Sequence, residues 1–278
     1  MSEYTSNELN EPQDGAAFLG MEVKSAREFV GMTQQQLADA THYKRPYVTK
    51  VEGGTLLASE NFAEACDRIF ERPGSFARLR RRVSQSGHPG WFIPYVTLEE
   101  RATEILDFSN YLVMGMLQTH GYAEALFRAA NPRDPDVVIN EKVCARLQRH
   151  EIMERDEPPL LWAVLDESCL HRLVGAGHTM RGQLEHLLEE AQSPHITMQV
   201  LPFRTGAPAA AEAYTLLRFD DSDSEPVLYS EAQGLGRVID SAKFVKTATA
   251  RYDRLRADAL SPEDSLEMLR TVLEEFRS

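Results

Sequence analysis

Met32-Thr33-Gln34-Gln35-Gln36-Leu37-Ala38 and, a short turn later, Arg45-Pro46-Tyr47-Val48-Thr49-Lys50-Val51-Glu52-Gly53-Gly54 decide how this chain is read. Thr33 with Gln36 three residues on is a Thr-x-x-Gln capping box, which satisfies two N–H groups at a helix start. Leu37 and Ala38 then face inward. Pro46 falls in the first turn of the next helix, where its missing N–H costs nothing. Val48 and Val51 turn to the same core, and Glu52-Gly53-Gly54 ends the helix. Two short helices joined this way form a helix-turn-helix, whose second helix fits the DNA major groove.

Three more helices surround the pair. One runs from about Phe18 to Phe29, with Leu19, Val23, Ala26 and Val30 on one face, and stops at Gly31. Ser59 caps a second, Glu60 to Glu71, on which Phe62, Ala63, Cys66, Ile69 and Phe70 recur at helical spacing. A third spans Ser75 to Val83 and ends in Arg78-Leu79-Arg80-Arg81-Arg82. Residues 17–83 therefore read as an all-α, five-helix domain. Residues 1–16 are polar, acidic and aperiodic and are expected to be a disordered tail. Ser84-Gln85-Ser86-Gly87-His88-Pro89-Gly90 has the small polar, Gly and Pro content of a linker over 84–90.

Residues 91–278 mix both periodicities. Leu98 to Asn110, Leu117 to Ala130, Pro135 to Arg155, Met180 to Ala191 and Val238 to Ala259 are predicted helices. Leu160 to Leu165 is a short apolar run that suits a strand covered on both faces. With the helix after it and Ile196 to Leu201 it makes a parallel βαβ unit. Tyr214 to Phe219 and Val227 to Ser230 read as an antiparallel hairpin across the acidic turn 220–226. Ser261-Pro262-Glu263-Asp264 is a capped helix start. The second domain is expected to be α/β, a small mixed sheet flanked by helices.

The formal net charge of −13 over 278 residues disfavours approach to phosphates. Its distribution removes the objection. Residues 18–85 hold 11 Lys and Arg against 8 Asp and Glu, so the acidic excess lies in the rest of the chain. Cys66, Cys144 and Cys169 are odd in number and far apart, and imply neither a disulfide framework nor a zinc site. No apolar run reaches the ~18 residues of a membrane span, and the start lacks the features of a signal peptide, so a cytoplasmic protein is expected.

The helix-turn-helix assigns roles to particular side chains. Gln34 and Gln35, in the first turn of the second helix, can offer amides and helix-end N–H groups to a phosphate. Arg45 and Lys50 are the best base readers, because Arg meets guanine O6 and N7 with two bonds. Lys44 and Tyr47 are expected at the DNA backbone, and Thr49 at either. The run Arg78 to Arg82 has two readings, a phosphate grip or a solvated helix end.

Phe18 to Arg82 resembles the XRE-type, phage-repressor-like helix-turn-helix domain. Beyond it, Gly90-Trp91-Phe92-Ile93-Pro94-Tyr95, Leu112-Val113-Met114-Gly115-Met116-Leu117-Gln118-Thr119, Val164-Leu165-Asp166-Glu167 and Val200-Leu201-Pro202-Phe203 resemble the C-terminal domain of WhiJ-like regulators of filamentous actinobacteria. That resemblance implies a transcriptional regulator, in some members antitoxin-like, often encoded beside a small acidic partner protein. The chain departs from relatives at His42, where they carry Gly in the turn, at Lys44, where they carry a Ser cap, and at Met114, where they carry Pro.

Three classes compete for the second domain. As a sensor it would bind a ligand or small partner and mediate dimerisation; Leu266, Leu269, Leu273 and Phe276 form an apolar stripe suited to its own sheet or to a subunit contact. As a hydrolase-like enzyme it would draw on Asp166, Glu167, His171, Arg172 and Gln183 after the first predicted strand, although adjacent acids there also serve as caps. As a scaffold it would need no pocket. The histidines lack metal-ligand spacing, and Gly234-Leu235-Gly236 lacks the third glycine of a dinucleotide loop, so no catalytic residue, cofactor or metal is expected. The expectation is a homodimer, bound to double-stranded DNA at a palindromic operator.

Overall fold

The computed structural model describes residues 15–54, 56–85, 88–220, 224–232 and 235–276. The chain divides into two compact units, the first reaching Gly87 and including Pro135–Glu141, the second made of His88–Asp134 and the residues from Lys142 onward. Of the tail expected over residues 1–16, residues 1–14 lie outside the described residues, while Gly15 and Ala16 open the first helix; residues 86 and 87, the centre of the expected linker, also lie outside the described residues.

Five helices open the chain: α1 (Gly15–Phe29), α2 (Gln34–Thr41), α3 (Arg45–Glu52), α4 (Glu60–Ile69) and α5 (Ser75–Gln85). Leu19, Val23, Leu37, Val48, Phe62 and Cys66 are fully buried in one core. Val30, expected on that core, is exposed because α1 ends at Phe29 and the chain turns away at Gly31. The Thr33 capping box forms as the spacing predicts. The cap of α5 comes from another helix instead: Asp67 in α4 accepts from the N–H groups of Phe76 and Ala77 at 2.9 and 3.0 Å. Two glycines set the closest approaches. A Cβ on Gly20 would lie 2.2 Å from the Val51 carbonyl, and Gly54 has φ +70 beside the Ala17 backbone.

Beyond these lie, in chain order, α6 (Ile93–Glu99), β1 (Glu104–Ser109), α7 (His120–Ala130), α8 (Asp136–Gln148), β2 (Leu160–Asp166), α9 (Ser168–His171), α10 (Gly177–Glu190), β3 (Ile196–Leu201), β4 (Tyr214–Arg218), β5 (Val227–Ala232), β6 (Leu235–Ile239), α11 (Ala242–Asp258) and α12 (Pro262–Glu275), with 3-10 turns at Gly115–Leu117, Arg149–Glu154 and Phe203–Thr205. The strands form one mixed sheet in the order β3-β2-β1-β4-β5-β6. β1, β2 and β3 run parallel, and β4, β5 and β6 add antiparallel pairs. The expected α/β domain with a mixed sheet between helices is observed.

Its edges differ from expectation in two places. The helix predicted over Leu98 to Asn110 is the end of α6 followed by β1. Leu98, Ala102 and Ile105 mimic helical spacing, but Ile105 and Leu106 face opposite cores, which only a strand permits. The helix predicted from Val238 begins at Ala242, and Leu235–Ile239 is the edge strand β6, paired to β5. Smaller differences occur at helix ends: α7 starts at His120 rather than Leu117, and a 3-10 turn over Arg149–Glu154 replaces the end of the helix expected to Arg155.

One face of the sheet packs on α10 and α12 through Ile105, Leu161, Leu217, Leu184 and Leu269; the other packs on α11 through Phe108, Val164, Leu216, Tyr252 and Leu255. All four members of the α12 stripe belong to the first of these cores, so the stripe serves its own domain.

Candidate functional site

The helix-turn-helix is built from local signals and then braced by three neighbours. α2 ends at His42, which takes the left-handed conformation with φ 62, a backbone that a residue with a side chain adopts only at some cost. Lys44 occupies the N-cap of α3 with no side-chain cap bond, as its identity predicts. Val48 and Val51 turn inward, with 0% and 1% exposure, so Lys44, Arg45, Thr49 and Lys50 face outward. Arg45 and Thr49 are one turn apart, as are Pro46 and Lys50, which gives α3 an outer side of two rows.

Tyr47 is half-buried and engaged within the domain. Its ring stacks on Tyr43 at 4.5 Å and meets Phe62 edge-on, and its hydroxyl accepts from Ser59 N at 2.7 Å. The Tyr43 hydroxyl also bonds the Ser59 hydroxyl, so both rings hold α3 and the turn against the start of α4. Gln34 is likewise engaged: its Nε2 donates to Glu52 at 2.9 Å and its Oε1 accepts from the Thr49 hydroxyl at 3.1 Å. Glu52 in turn pairs with Arg27, whose Nη1 donates to the Met32 carbonyl. Thus Arg27, Glu52, Gln34 and Thr49 lock α1, α2 and α3 together and fix the angle at which α3 is presented. Gln35 stays exposed, its amide bonding Asp39 at 2.8 Å. The first-turn N–H groups of Gln34 and Gln35 are those a helix start leaves for an anion.

The basic run resolves into separate roles. Arg80 is buried and donates to the Ala58 carbonyl, Arg81 lies 3.5 Å from Glu60, and Arg78 bonds the Pro73 carbonyl. Arg80 is therefore structural, and the run is not a single cationic face.

Residues 19–82 match a family model described as Helix-turn-helix domain, and residues 92–271, well over half of the chain, match one described as Domain of unknown function (DUF5753). The chain belongs to the DUF5753 family. No curated protein and no solved structure matches it. The helix-turn-helix match supports a DNA-binding regulator, and suggests that rather than an enzyme.

Within the DUF5753 domain, the residues after β2 have structural partners. Asp166 accepts from Ser168 N at the start of α9, and Glu167 accepts from Phe203 N at 2.6 Å. Gln183, fully buried, accepts from Thr119 N and donates to the Leu117 carbonyl, tying α10 to the chain before α7. Cys66 and Cys169 are buried thiols. Among the described residues no group of His, Cys, Asp and Glu could hold a metal ion, and no helix is long and apolar enough to cross a membrane.

A cleft of about 360 Å³ opens instead at the carboxyl end of β1. Asp107 lies on its floor, 6% exposed, accepting from the hydroxyls of Ser109 and Thr215 at 2.7 and 2.9 Å. Asp107 pairs in register with Thr215, and Thr215 with Tyr229, so these three make a polar row on an otherwise apolar face. Sequence reasoning misses Asp107 because Leu98 to Asn110 reads as one helix, whereas Glu104–Ser109 is a strand. A lone acid inside the run Ile105-Leu106-Asp107-Phe108 was the available signal.

Proposed function

We propose that the chain is a sequence-specific transcriptional regulator of the XRE type that works as a homodimer. Residues 17–83 bind DNA, 84–90 link, and residues 91–278 carry dimerisation and sensing of a ligand or of a small acidic partner protein, as in the WhiJ-like, antitoxin-like regulators it resembles. Its place of action is the cytoplasm, on the nucleoid. The observation that carries this reading is the outer side of α3, where Lys44, Arg45, Thr49 and Lys50 are exposed beside the α2 start while Val48 and Val51 are buried. Arg45 and Lys50 read base edges; Lys44, Thr49 and the Gln34 and Gln35 N–H groups hold phosphates. Tyr47 acts through the placement of α3.

Selection from a randomised duplex library followed by footprinting tests it. Two-fold symmetry requires a near-palindrome with half-sites about 34 Å, or a multiple, apart. Affinity falls by ~0.9 log units per log unit of salt for each phosphate neutralised. Absence of any protected tract overturns the reading.

A further inference from the structure

The cleft beside β1 has features that packing alone does not call for. It lies where β1 meets β2 in parallel and β4 antiparallel, at the carboxyl end of the strand, the position at which open α/β sheets take ligands. Its walls are aromatic: Tyr95 and Tyr229 stack at 4.0 Å, with Phe92 edge-on to Tyr229. Arg149 enters from the 3-10 turn after α8 and meets Glu99 with two bonds of 2.7 Å. Burial works against that guanidinium, and Glu99 more than offsets it, so Arg149 stays charged. Its side chain is only 10% exposed, yet Nη1 has no partner among the described residues. That nitrogen sits beside Gly115, where a Cβ would approach it to 2.8 Å, so the glycine keeps the donor open to the cleft.

The charges are uneven. Asp107, Glu212 and Glu231 line the cleft against Arg149, and Glu99 already neutralises Arg149. Glu231 also accepts from the Tyr229 hydroxyl at 2.6 Å, which aims its carboxylate along the aromatic wall. The Arg149 guanidinium already covers the Phe92 and Tyr95 rings at 5.0 and 5.5 Å. The Asp107 carboxylate takes its hydrogen bonds from hydroxyls alone, and an ammonium in the open part of the cleft, beside the aromatic wall, is the group that completes it.

We propose that this cleft binds a small primary amine carrying an apolar or aromatic body and a hydrogen-bond acceptor, the ammonium on Asp107, the body against Tyr95 and Tyr229, and the acceptor on Arg149 Nη1. Its volume fits a metabolite rather than a peptide. As the effector site of a regulator it rests on the function proposed above; as a binding site it stands on the cleft alone.

The charged and titratable groups around Asp107 are Arg149, Glu99, Tyr95 and Cys169, with Tyr229 and Glu231 on the cleft wall and Tyr214 and Tyr252 across the sheet, and burial keeps the phenols and the thiol neutral. The charge on Asp107 itself therefore governs amine binding. Burial raises its carboxyl to about 6, so amine affinity drops as pH falls below that point.

The test is calorimetric and thermal-shift titration of the full chain with phenylalaninamide and tyramine, against neutral phenylpropionamide and anionic phenylacetate. Saturable stabilisation by an amine and by neither of the others, weakened about 10- to 100-fold by Asp107→Asn, supports the site. Should Asp107→Asn fail to fold, Glu231→Gln at the rim must still weaken the amine. No stabilisation by either amine, equal binding of phenylacetate, or unchanged affinity in both variants overturns it. DNA affinity measured on the same samples separates the two claims: loss of all DNA binding with amine binding intact defeats the regulator and leaves the site standing.

Discussion

Arg27 in α1 and Glu52 at the end of α3 form a two-point ion pair, Nε to Oε1 at 2.5 Å and Nη2 to Oε2 at 2.9 Å, with side chains 9% and 3% exposed. The pair sits directly beneath the helix proposed to enter the groove. Arg27→Met leaves Glu52 buried without its cation and costs about 3–5 kcal/mol, because an unpaired internal charge is far worse than none. Denaturant unfolding of the single variant and of Arg27→Met with Glu52→Leu measures it: the double variant recovers most of the loss.

At Gly20 the fold allows no side chain. Alanine would gain up to ~1 kcal/mol of helix propensity but drive a methyl into the Val51 carbonyl, which costs about 1–3 kcal/mol and tilts α3. Gly20→Ala therefore lowers the melting temperature, and a rise would show that α1 and α3 do not touch there.

Two DNA-facing substitutions separate reading from bracing. Arg45→Ala relaxes preference at one base position by about 1–3 kcal/mol, whereas Gln34→Ala lowers affinity for every sequence alike. Gln34 touches both Glu52 and Thr49, so its removal loosens α3 as well as the phosphate grip. Library selection with each variant distinguishes them, and identical profiles would refute the assignment.

Stability should respond to pH through Asp107, which is buried, and His88, which is half-buried, with opposite sign. Burial raises the Asp107 carboxyl to about 6, so its contribution is present at low pH and lost as pH rises from the ordinary carboxylate range through 6. Asp107→Asn thus gains on the parent as pH rises across that window. Burial, with Arg149 and Arg146, lowers His88 to about 4; neutral His88 supports the fold above pH 6.5, and that support is lost as pH falls toward 4. His88→Gln flattens this acid limb. Melting curves from pH 4 to 8 measure both.

Much of the first unit was legible before any coordinates. The Thr33 box, Pro46, Ser59 and the Val48–Val51 pair are signals that act within a few residues, so they hold wherever the segment sits. The same is true of β2, β3 and the α12 cap at Ser261. Failures came where a partner distant in sequence decides the outcome. β1 carries apolar residues compatible with either period until β2 and β4 claim its two edges, and β6 is a strand because β5 offers it an edge. Tyr47 stacks on Tyr43 and accepts from Ser59 N, partners that its position in the helical pattern does not announce.

Sequence by itself determined the helix-turn-helix, its caps and the outward set Lys44, Arg45, Thr49 and Lys50, since helical periodicity and capping are short-range physics. Only the tertiary structure brought Arg27 to Glu52, Asp67 to the start of α5, and Asp107 together with Arg149, Tyr95 and Tyr229 around one cleft. Those groupings join residues far apart along the chain, and their cost and benefit arise from burial, which exists only once the strands and helices have closed over them.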